Sequence, residues 1–454
     1  MNQPSKTENF FSKGAGKGRF TSEMKWMLAL FLVTTLGGAL RKWFVTSSAV
    51  SNIILGIQMI IPFLMVIRRG PNSVNPFQKF SILYIYFFYL VLHVIHPMQL
   101  TFYHGLFGIL IHGGFWLGIF FYISNRHLFD TGRLMRIMLI IAAVEIVLAF
   151  LQYQLPTDHI LNKYAREEIQ VAVVGDRVRV TGTFSYLSGY TAYLIFYPLM
   201  VWGLVRLKYP QWFVVIALLL GVSVGFMTGS RSAAVIMIVL GGAMLFREYP
   251  VQSLFKVAGR LAIPVTIAVA ILLVVKQRQI FDTVGVAYDN FMHRVETNRQ
   301  SGEESSRFTS DLWYIQNANF ESPIFGIGLG STYQGAQALF GISPHVYAFG
   351  YTETEFTRIL LEGGWILIFL RYAMTLILAF QLSFKGFMRW AVIFVVAVGQ
   401  PIVFNPHNAA FLLLGIMLVD NIIWRQQKEA AKPFQKDHAE SGMAELTIAE
   451  EGVK

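Results

Sequence analysis

The chain has 454 residues, of which 55% are hydrophobic and only 14% are charged, whereas an ordinary soluble domain carries about 25% charged residues. A water-soluble core of this size could not bury so much apolar surface, which excludes a soluble globular enzyme. The net charge of +11 is spread along the chain, unlike the basic patch of a nucleic-acid-binding domain. Cysteine is absent, so disulfides and thiolate metal sites are excluded.

The apolar residues form long blocks almost free of charge, such as 135–153 and 213–227. Blocks near 20 residues are typical of helices that cross a membrane. The sequence therefore predicts an all-α, polytopic membrane protein with about twelve transmembrane helices. The predicted spans cover residues 25–40, 49–67, 80–97, 102–123, 135–154, 185–205, 211–228, 232–246, 258–275, 357–382, 386–403 and 405–424.

Lys and Arg concentrate in alternate loops, around 68–79, 126–136, 206–208, 247–260 and 385–389. Because cytoplasmic loops carry these residues, both termini are expected in the cytoplasm. The exceptions on the opposite side are Arg41, Lys42 and Arg231. The predicted divisions are a cytoplasmic tail at 1–24, spans 1–9 within 25–275, a large periplasmic loop with helices at 276–356, spans 10–12 within 357–424, and a disordered cytoplasmic tail at 425–454.

A hairpin tip at 228–231 joins the seventh and eighth predicted spans and ends in Arg231. The eighth span, 232–246, would be only about 22 Å long against about 30 Å of hydrocarbon. We therefore expect the tip to be recessed and Arg231 to face a cleft. An arginine at that depth needs a carboxylate or an anionic ligand, and either snorkelling or ligand binding fits this segment.

The predicted periplasmic loop contains a capping box at 301–304, after which a helix through Arg307 should end near Pro323. The glycine run at 326–330 follows. No strand precedes it and no lysine follows it, so close backbone packing is favoured over phosphate binding. Arg307 by itself would more often be a solvated charge.

The start of the tenth span carries Glu355, Arg358 and Glu362, three and four residues apart. Residues so spaced share one helix face, and we expect Arg358 and Glu362 to pair with each other. Glu353 precedes this face and is freer to line a cavity. Glu145, inside the fifth span, should be protonated or paired with a buried arginine. Histidines in or near spans three and four lack metal spacing, so no metal site is predicted.

Taken together, these segments resemble the O-antigen ligase and polymerase superfamily. The resemblance is carried by 182–184, the 228–231 hairpin, the 307–330 segment and 355–364, in that order over most of the chain. The segment 38–43 further resembles a polymerase-like branch of that superfamily.

The resemblance implies a multi-pass glycosyltransferase at the outer face of a bacterial inner membrane. Such enzymes transfer a glycan from a polyprenyl diphosphate to an acceptor hydroxyl, without metal or other cofactor. The expected partners are the lipid-linked oligosaccharide, the growing glycan and the bilayer, with a chain-length regulator and a flippase as further candidates and no nucleic acid. Two family arginines that bind the diphosphate fall on Arg231 and Arg307, and Arg179 is a candidate third contact.

Ligases of the superfamily have a catalytic histidine where this chain has Glu353, which favours a polymerase of O-antigen or exopolysaccharide units. Candidates for the base that accepts the hydroxyl proton are Glu353 first, Glu355 second and His345 third. The alternatives are a ligase to a lipid core, a transporter or flippase of lipid-linked glycans, and a structural subunit of an envelope complex. Transporters commonly contain inverted repeats, and no internal repeat is evident.

Overall fold

The computed structural model describes residues 20–45, 47–165, 170–174, 177–257, 259–260, 323–344, 354–394, 396, 402 and 405–451, with only the backbone described at 48–49, 174, 231–232 and 432–451. The helices are α1 (Ser22–Ala39, extended by a π-helical turn, Leu40–Phe44), α2 (Ser48–Ile67), α3 (Pro76–Lys79), α4 (Ile82–Val94), α5 (Phe102–Ser124), α6 (Thr131–Gln154), α7 (Leu187–Arg206), α8 (Gln211–Met227), α9 (Arg231–Glu248), α10 (Val251–Val257), α11 (Gln334–Phe340), α12 (Glu355–Gln381), α13 (Phe387–Phe394) and α14 (Pro406–Glu451). Short 3₁₀ turns lie at Arg126–Leu128 and Ile160–Asn162, and strands β1 (Val173–Val174) and β2 (Arg177–Val178) form one antiparallel pair.

Within these described residues, seven helices are long and apolar enough to cross a membrane, or eight if α9 and α10, bent by 110°, are taken as one broken span. The chain therefore has the make-up of a helical membrane protein. Helices α4 and α8 are apolar but shorter. The predicted ninth span, 258–275, lies almost wholly outside the described residues, as does part of the eleventh. The count of twelve stays a prediction.

The helices begin where the apolar blocks begin, and side-chain caps mark several of the starts, including those of α1 and α5. Thr21 accepts a hydrogen bond from the backbone N–H of Met24 at 3.2 Å, and Thr101 accepts one from His104 at 3.4 Å. Such caps satisfy N–H groups that have no partner within the helix. Helix α14 continues to Glu451, so the predicted disordered tail is helical up to that residue. Its sequence beyond 425 is rich in Ala, Glu, Gln and Lys, which favour helix.

One end of the bundle, here called the Arg126 end, joins the ends of several helices. Arg126 contacts the carboxylate of Asp420 at 2.8 Å and the carbonyl of Gln381 at 2.5 Å. Gln426 donates to the carbonyl of Arg206 at 2.7 Å. The carboxyl ends of α5, α7 and α12 therefore meet at one end.

The opposite end carries the turn at 181–184, the hairpin tip at 228–230 and the glycine run. It is called the glycine-run end below. Between the two ends lies one continuous apolar core that includes Trp116, Trp202, Phe120 and Phe196. The turn, the hairpin tip and the glycine run, which are the described parts of the segments that the sequence singled out, thus lie at one end of a packed apolar body.

Candidate functional site

The hairpin tip between α8 and α9 is a tight turn. Gly229 has φ +60°, a conformation that favours glycine, and the hydroxyl of Thr228 is buried and donates to the carbonyl of Gly225 at 2.6 Å. Helix α9 has 18 residues, which corresponds to about 27 Å. The helix is three residues longer than the predicted span 232–246, because it also includes Arg231, Arg247 and Glu248. Arg231 is the first residue of α9, and its side chain lies outside the described structure.

Arg179 lies directly against the hairpin tip. Its guanidinium donates from Nε to the carbonyl of Thr228 at 2.8 Å and from Nη2 to that of Gly229 at 3.4 Å. The backbone N–H of Val180 donates to the carbonyl of Met227 at 3.4 Å. The structure thus brings Arg179 close to the start of α9, where it holds the tip. A phosphate or sugar contact of the same side chain stays a prediction.

The glycine run packs closely against helices, as expected. Gly326, Gly328 and Gly330 have φ of +77°, +102° and +72°. A Cβ on Gly326 would lie 2.6 Å from the backbone of α12, and Gly330 contacts the carbonyl of His104 in α5. Leu329 meets Gly108, which is about 9 Å along α5 from its first residue. Irregular backbone is therefore inserted between helices, where protein rather than lipid surrounds it.

Helix α12 covers the predicted span 357–382 and is kinked inside it. Gly364 has φ 62° and ψ −167°, which breaks the helix. The side chain of Glu355 contacts that of Arg371, although residues 16 positions apart are about 24 Å apart along a straight helix. The rings of Phe356 and Trp365 also lie 6.0 Å apart. The piece before Gly364 therefore folds back towards the piece after it.

The segment 323–328 satisfies the backbone groups that this break exposes. Ile327 and Gly328 donate their N–H groups to the carbonyls of residues 361 and 362 at 2.7 and 3.1 Å. The N–H groups of residues 365 and 366 donate to the carbonyls of residues 323 and 324 at 3.1 and 3.4 Å. Tyr89 of α4 donates to the carbonyl of Gly363 at 2.7 Å. A broken helix in a membrane requires such partners, because an unpaired backbone group costs several kcal/mol there.

Glu362 binds the glycine-run segment rather than Arg358, so the predicted pairing within the helix face was wrong. Its carboxylate accepts hydrogen bonds from the N–H groups of Gly330 and Thr332 at 2.7 and 2.9 Å and from the Thr332 hydroxyl at 2.8 Å. It also contacts Nε2 of His112 at 2.8 Å, with both side chains 1% exposed. The break at Gly364 turns this face of the helix inward, towards α5 and the glycine run.

Glu355, the second candidate base, is buried and bound to Arg371. A carboxylate held by a guanidinium is a weaker proton acceptor than a free one. The pair instead fixes the first turn of α12, which begins two residues after Glu353. The other candidate site residues, Arg307, His345 and Glu353, lie outside the described residues.

Three of the histidines in or near α4 and α5 bind the later part of the predicted loop or the helix that follows it. His93 bonds to the carbonyl of Phe325 at 2.7 Å, and His104 bonds to that of Gly341 at 2.9 Å. The third, His112, contacts Glu362. No group of three or more residues able to hold a metal ion occurs among the residues that were described. The histidines thus have structural partners in the protein itself.

Tyr333, which follows the glycine run, is packed against an aromatic neighbour rather than exposed. Its ring lies 5.4 Å from that of Phe107 and the residue is 8% exposed. Burial raises the pKa of its hydroxyl to about 12, and the nearby charges of Arg358 and Arg41 act in the opposite direction. The hydroxyl is therefore neutral near pH 7, in a region where two arginines approach.

Sequence reasoning missed the buried polar network around the turn at 181–184. Lys42 from the end of α1, Gln152 from α6 and Glu145 from α6 all bind this turn. Among the residues with described side chains, Glu145 has Thr183 rather than an arginine as its hydrogen-bond partner. It accepts hydrogen bonds from Thr183, and the nearby charge is Lys42. The signal was present in the two motifs at 38–43 and 182–184, but nothing in the sequence showed that they touch.

No family model matches the chain, and no curated protein or solved structure matches it either.

Proposed function

We propose that the chain is a glycosyltransferase that polymerises glycan repeat units carried on a polyprenyl diphosphate, at the outer face of a bacterial inner membrane. The observation that carries the proposal is that the resembling segments, distant in sequence, contact one another in pairs. Arg179, just before the 182–184 motif, binds the hairpin tip of the 228–231 motif. The glycine run binds Glu362 of the 355–364 motif.

The proposed reaction transfers a glycan to a sugar hydroxyl. The acceptor oxygen forms a bond to the anomeric carbon of the donor, the bond from that carbon to the diphosphate oxygen breaks, and the hydroxyl proton passes to a base. The departing lipid diphosphate carries about two to three negative charges, which arginine forks bind well in a site of low dielectric. Arg231 and Arg307 are proposed for this clamp, and it requires no metal.

Glu353 is the proposed base, with His345 as the alternative. Glu355 is assigned to the Glu355–Arg371 pair, which fixes the start of α12 immediately after Glu353. The two roles predict different phenotypes. Glu353→Gln should lower the rate constant of polymerisation while the protein stays folded, whereas Glu355→Gln should first lower its thermal stability.

The deciding experiment uses proteoliposomes that contain only this protein and lipid-linked repeat units. Arg231→Ala and Arg307→Ala should abolish long-chain polymer at unchanged protein levels. Arg133→Ala is the matched control, because Arg133 pairs with Asp130 at the Arg126 end of the bundle. Long-chain polymer formed at the normal rate by both variants would rule out the diphosphate clamp. Absence of polymer from the wild-type protein would argue against a polymerase.

One structural feature favours a second candidate, a transporter of lipid-linked glycans. Transporters often bind their substrates where a helix is broken inside the membrane, and α12 is broken at Gly364. The same proteoliposomes separate the two. Movement of a fluorescent lipid-linked glycan between leaflets, without glycosidic bond formation, would identify transport.

A further inference from the structure

A buried lysine at the end of α1 binds the turn at 181–184. Lys42 donates from Nζ to the hydroxyl of Thr181 at 2.9 Å and to the carbonyl of Gly182 at 3.1 Å, and it is only 8% exposed. One helical turn earlier, Gly38 packs so closely on the same turn that a Cβ would lie 2.5 Å from Cα of Phe184. The end of α1 therefore has both a charge and a close backbone approach directed at this turn.

Helix α6 binds the same turn from another side. The Oε1 atom of Gln152 accepts from the N–H groups of Thr181 and Gly182 at 3.0 and 2.8 Å. Glu145 accepts from the N–H of Thr183 at 3.1 Å and from its hydroxyl. Buried charges are costly unless they are hydrogen-bonded, and here Lys42 and Glu145 direct their hydrogen bonds at the turn rather than at each other. The turn is thus held by side chains from two helices.

The held turn continues directly into the contacts with the hairpin tip. Val180 bonds to Met227, and Arg179 bonds to Thr228 and Gly229. Gly229 is two residues before Arg231. Hydrogen bonds that are buried at the turn and partly buried at the hairpin tip therefore link Lys42 and Glu145 to the residues that set where α9 begins.

We propose that Lys42 and Glu145 are positioning residues that fix the hairpin tip, and with it the arginine that binds the diphosphate of the lipid-linked donor. The inference rests on the proposed function for the ligand. The positional part can be tested without any activity. It assigns the 38–43 segment a role in substrate affinity, although that segment does not itself carry a proposed substrate contact.

The chain has no cysteine, so a single introduced thiol reports on one position. With Ser230→Cys at the hairpin tip, the rate of modification by a membrane-impermeant maleimide should rise about tenfold in Lys42→Met, the factor expected for losing one hydrogen bond from a charged group. Glu145→Ala should behave in the same way. Lys163→Met is the matched control, since Lys163 is exposed on the same end of the bundle, and it should leave the rate unchanged.

A second introduced thiol distinguishes a specific effect on the hairpin tip from a general destabilisation of the protein. Gln334→Cys lies on the exposed start of α11, an element that takes part in none of the hydrogen bonds described at the turn and the tip. The proposal is overturned if Lys42→Met raises the modification rate of the cysteine at 334 as much as that of the cysteine at 230. It is also overturned if Lys42→Met raises neither rate. These outcomes do not depend on catalysis, so failure of the proposed function would be recognised separately by absence of polymer from the wild-type protein.

The effect on substrate is tested by rescue. Lys42→Met should raise KM for the lipid-linked donor about tenfold with a smaller change in kcat. Cysteines at 180 and 227 replace two residues whose backbones are hydrogen-bonded. An oxidised disulfide between them should return KM to near the wild-type value and its reduction should abolish the rescue. A KM that the disulfide does not change would show that Lys42 acts on stability alone.

Discussion

One buried pair at the Arg126 end and two buried charges at the glycine-run end bind different kinds of group. At the Arg126 end, Arg126 and Asp420 contact each other, and Tyr122 completes the site by donating to Asp420 at 2.7 Å. At the glycine-run end, Lys42 and Glu362 bind backbone groups of loops. A charged side chain that pairs with an opposite charge on another helix stabilises the packing of the two helices. A charged side chain that binds backbone groups determines the course of a loop. Neither kind of contact is confined to one end, since Arg126 also binds the carbonyl of Gln381 and Glu355 binds Arg371; the comparison is between the Arg126–Asp420 pair and the two loop-binding charges.

Among the substitutions that test this comparison, the largest loss of stability is expected at Asp420. Asp420→Ala leaves Arg126 without its carboxylate and should lower the free energy of unfolding by about 3–5 kcal/mol. Thermal unfolding of the detergent-solubilised protein measures the loss. In the fraction that remains folded, KM for the donor should stay unchanged. A raised KM would remove the functional distinction between the two ends.

A somewhat smaller loss is expected when the break in α12 is altered. Gly364→Ala places a Cβ against the backbone of Ile324 at a positive φ, and it should cost about 2–3 kcal/mol. Gly56→Ala is the control, because nothing lies within 4 Å of a Cβ at Gly56. That change should be neutral or stabilise by about 0.5–1 kcal/mol. Equal thermal midpoints for the two variants would contradict the broken-helix geometry.

Glu362 allows its charge to be separated from its hydrogen bonds. Glu362→Gln keeps an amide oxygen that can accept from Gly330 or Thr332, and we expect it to cost about 1–2 kcal/mol. Glu362→Ala should cost more, since it leaves those buried N–H groups without an acceptor. Polymer formation should fall in the same order. Full activity in Glu362→Ala would show that the position of the glycine run does not matter.

The smallest effect is expected at an exposed ion pair. Arg133 and Asp130 lie 3.6 Å apart with 20% and 41% of their side chains exposed. Asp130→Ala should therefore change stability by less than about 0.5 kcal/mol. A loss comparable to that of Asp420→Ala would mean that burial is not what separates the strong contacts from the weak ones.

The sequence predicted local features well and long-range contacts poorly. Apolar blocks placed most described helices within a few residues, since block length and composition are local properties. The packing role of the glycine run was also confirmed. The break at Gly364 was missed because a glycine inside an apolar block is equally compatible with a continuous helix.

The partners of the buried charges could not be predicted either. Glu362 has Arg358 one helical turn away in sequence, yet its partner is His112 on another helix. Lys42 and Gly182 are 140 residues apart. Such pairs depend on which helices become neighbours, and neither hydrophobic period nor charge pattern determines that.

The order of synthesis has a consequence for the broken helix. Every described group that caps the break, from Tyr89 to the 323–328 segment, precedes Gly364 in the chain. All of these partners have already been synthesised when α12 leaves the ribosome. The backbone groups exposed at the break can therefore form their hydrogen bonds without first being exposed to lipid. Lys42, in contrast, is synthesised long before the turn that it binds. An early folding intermediate must therefore provide other hydrogen-bond partners for its amino group.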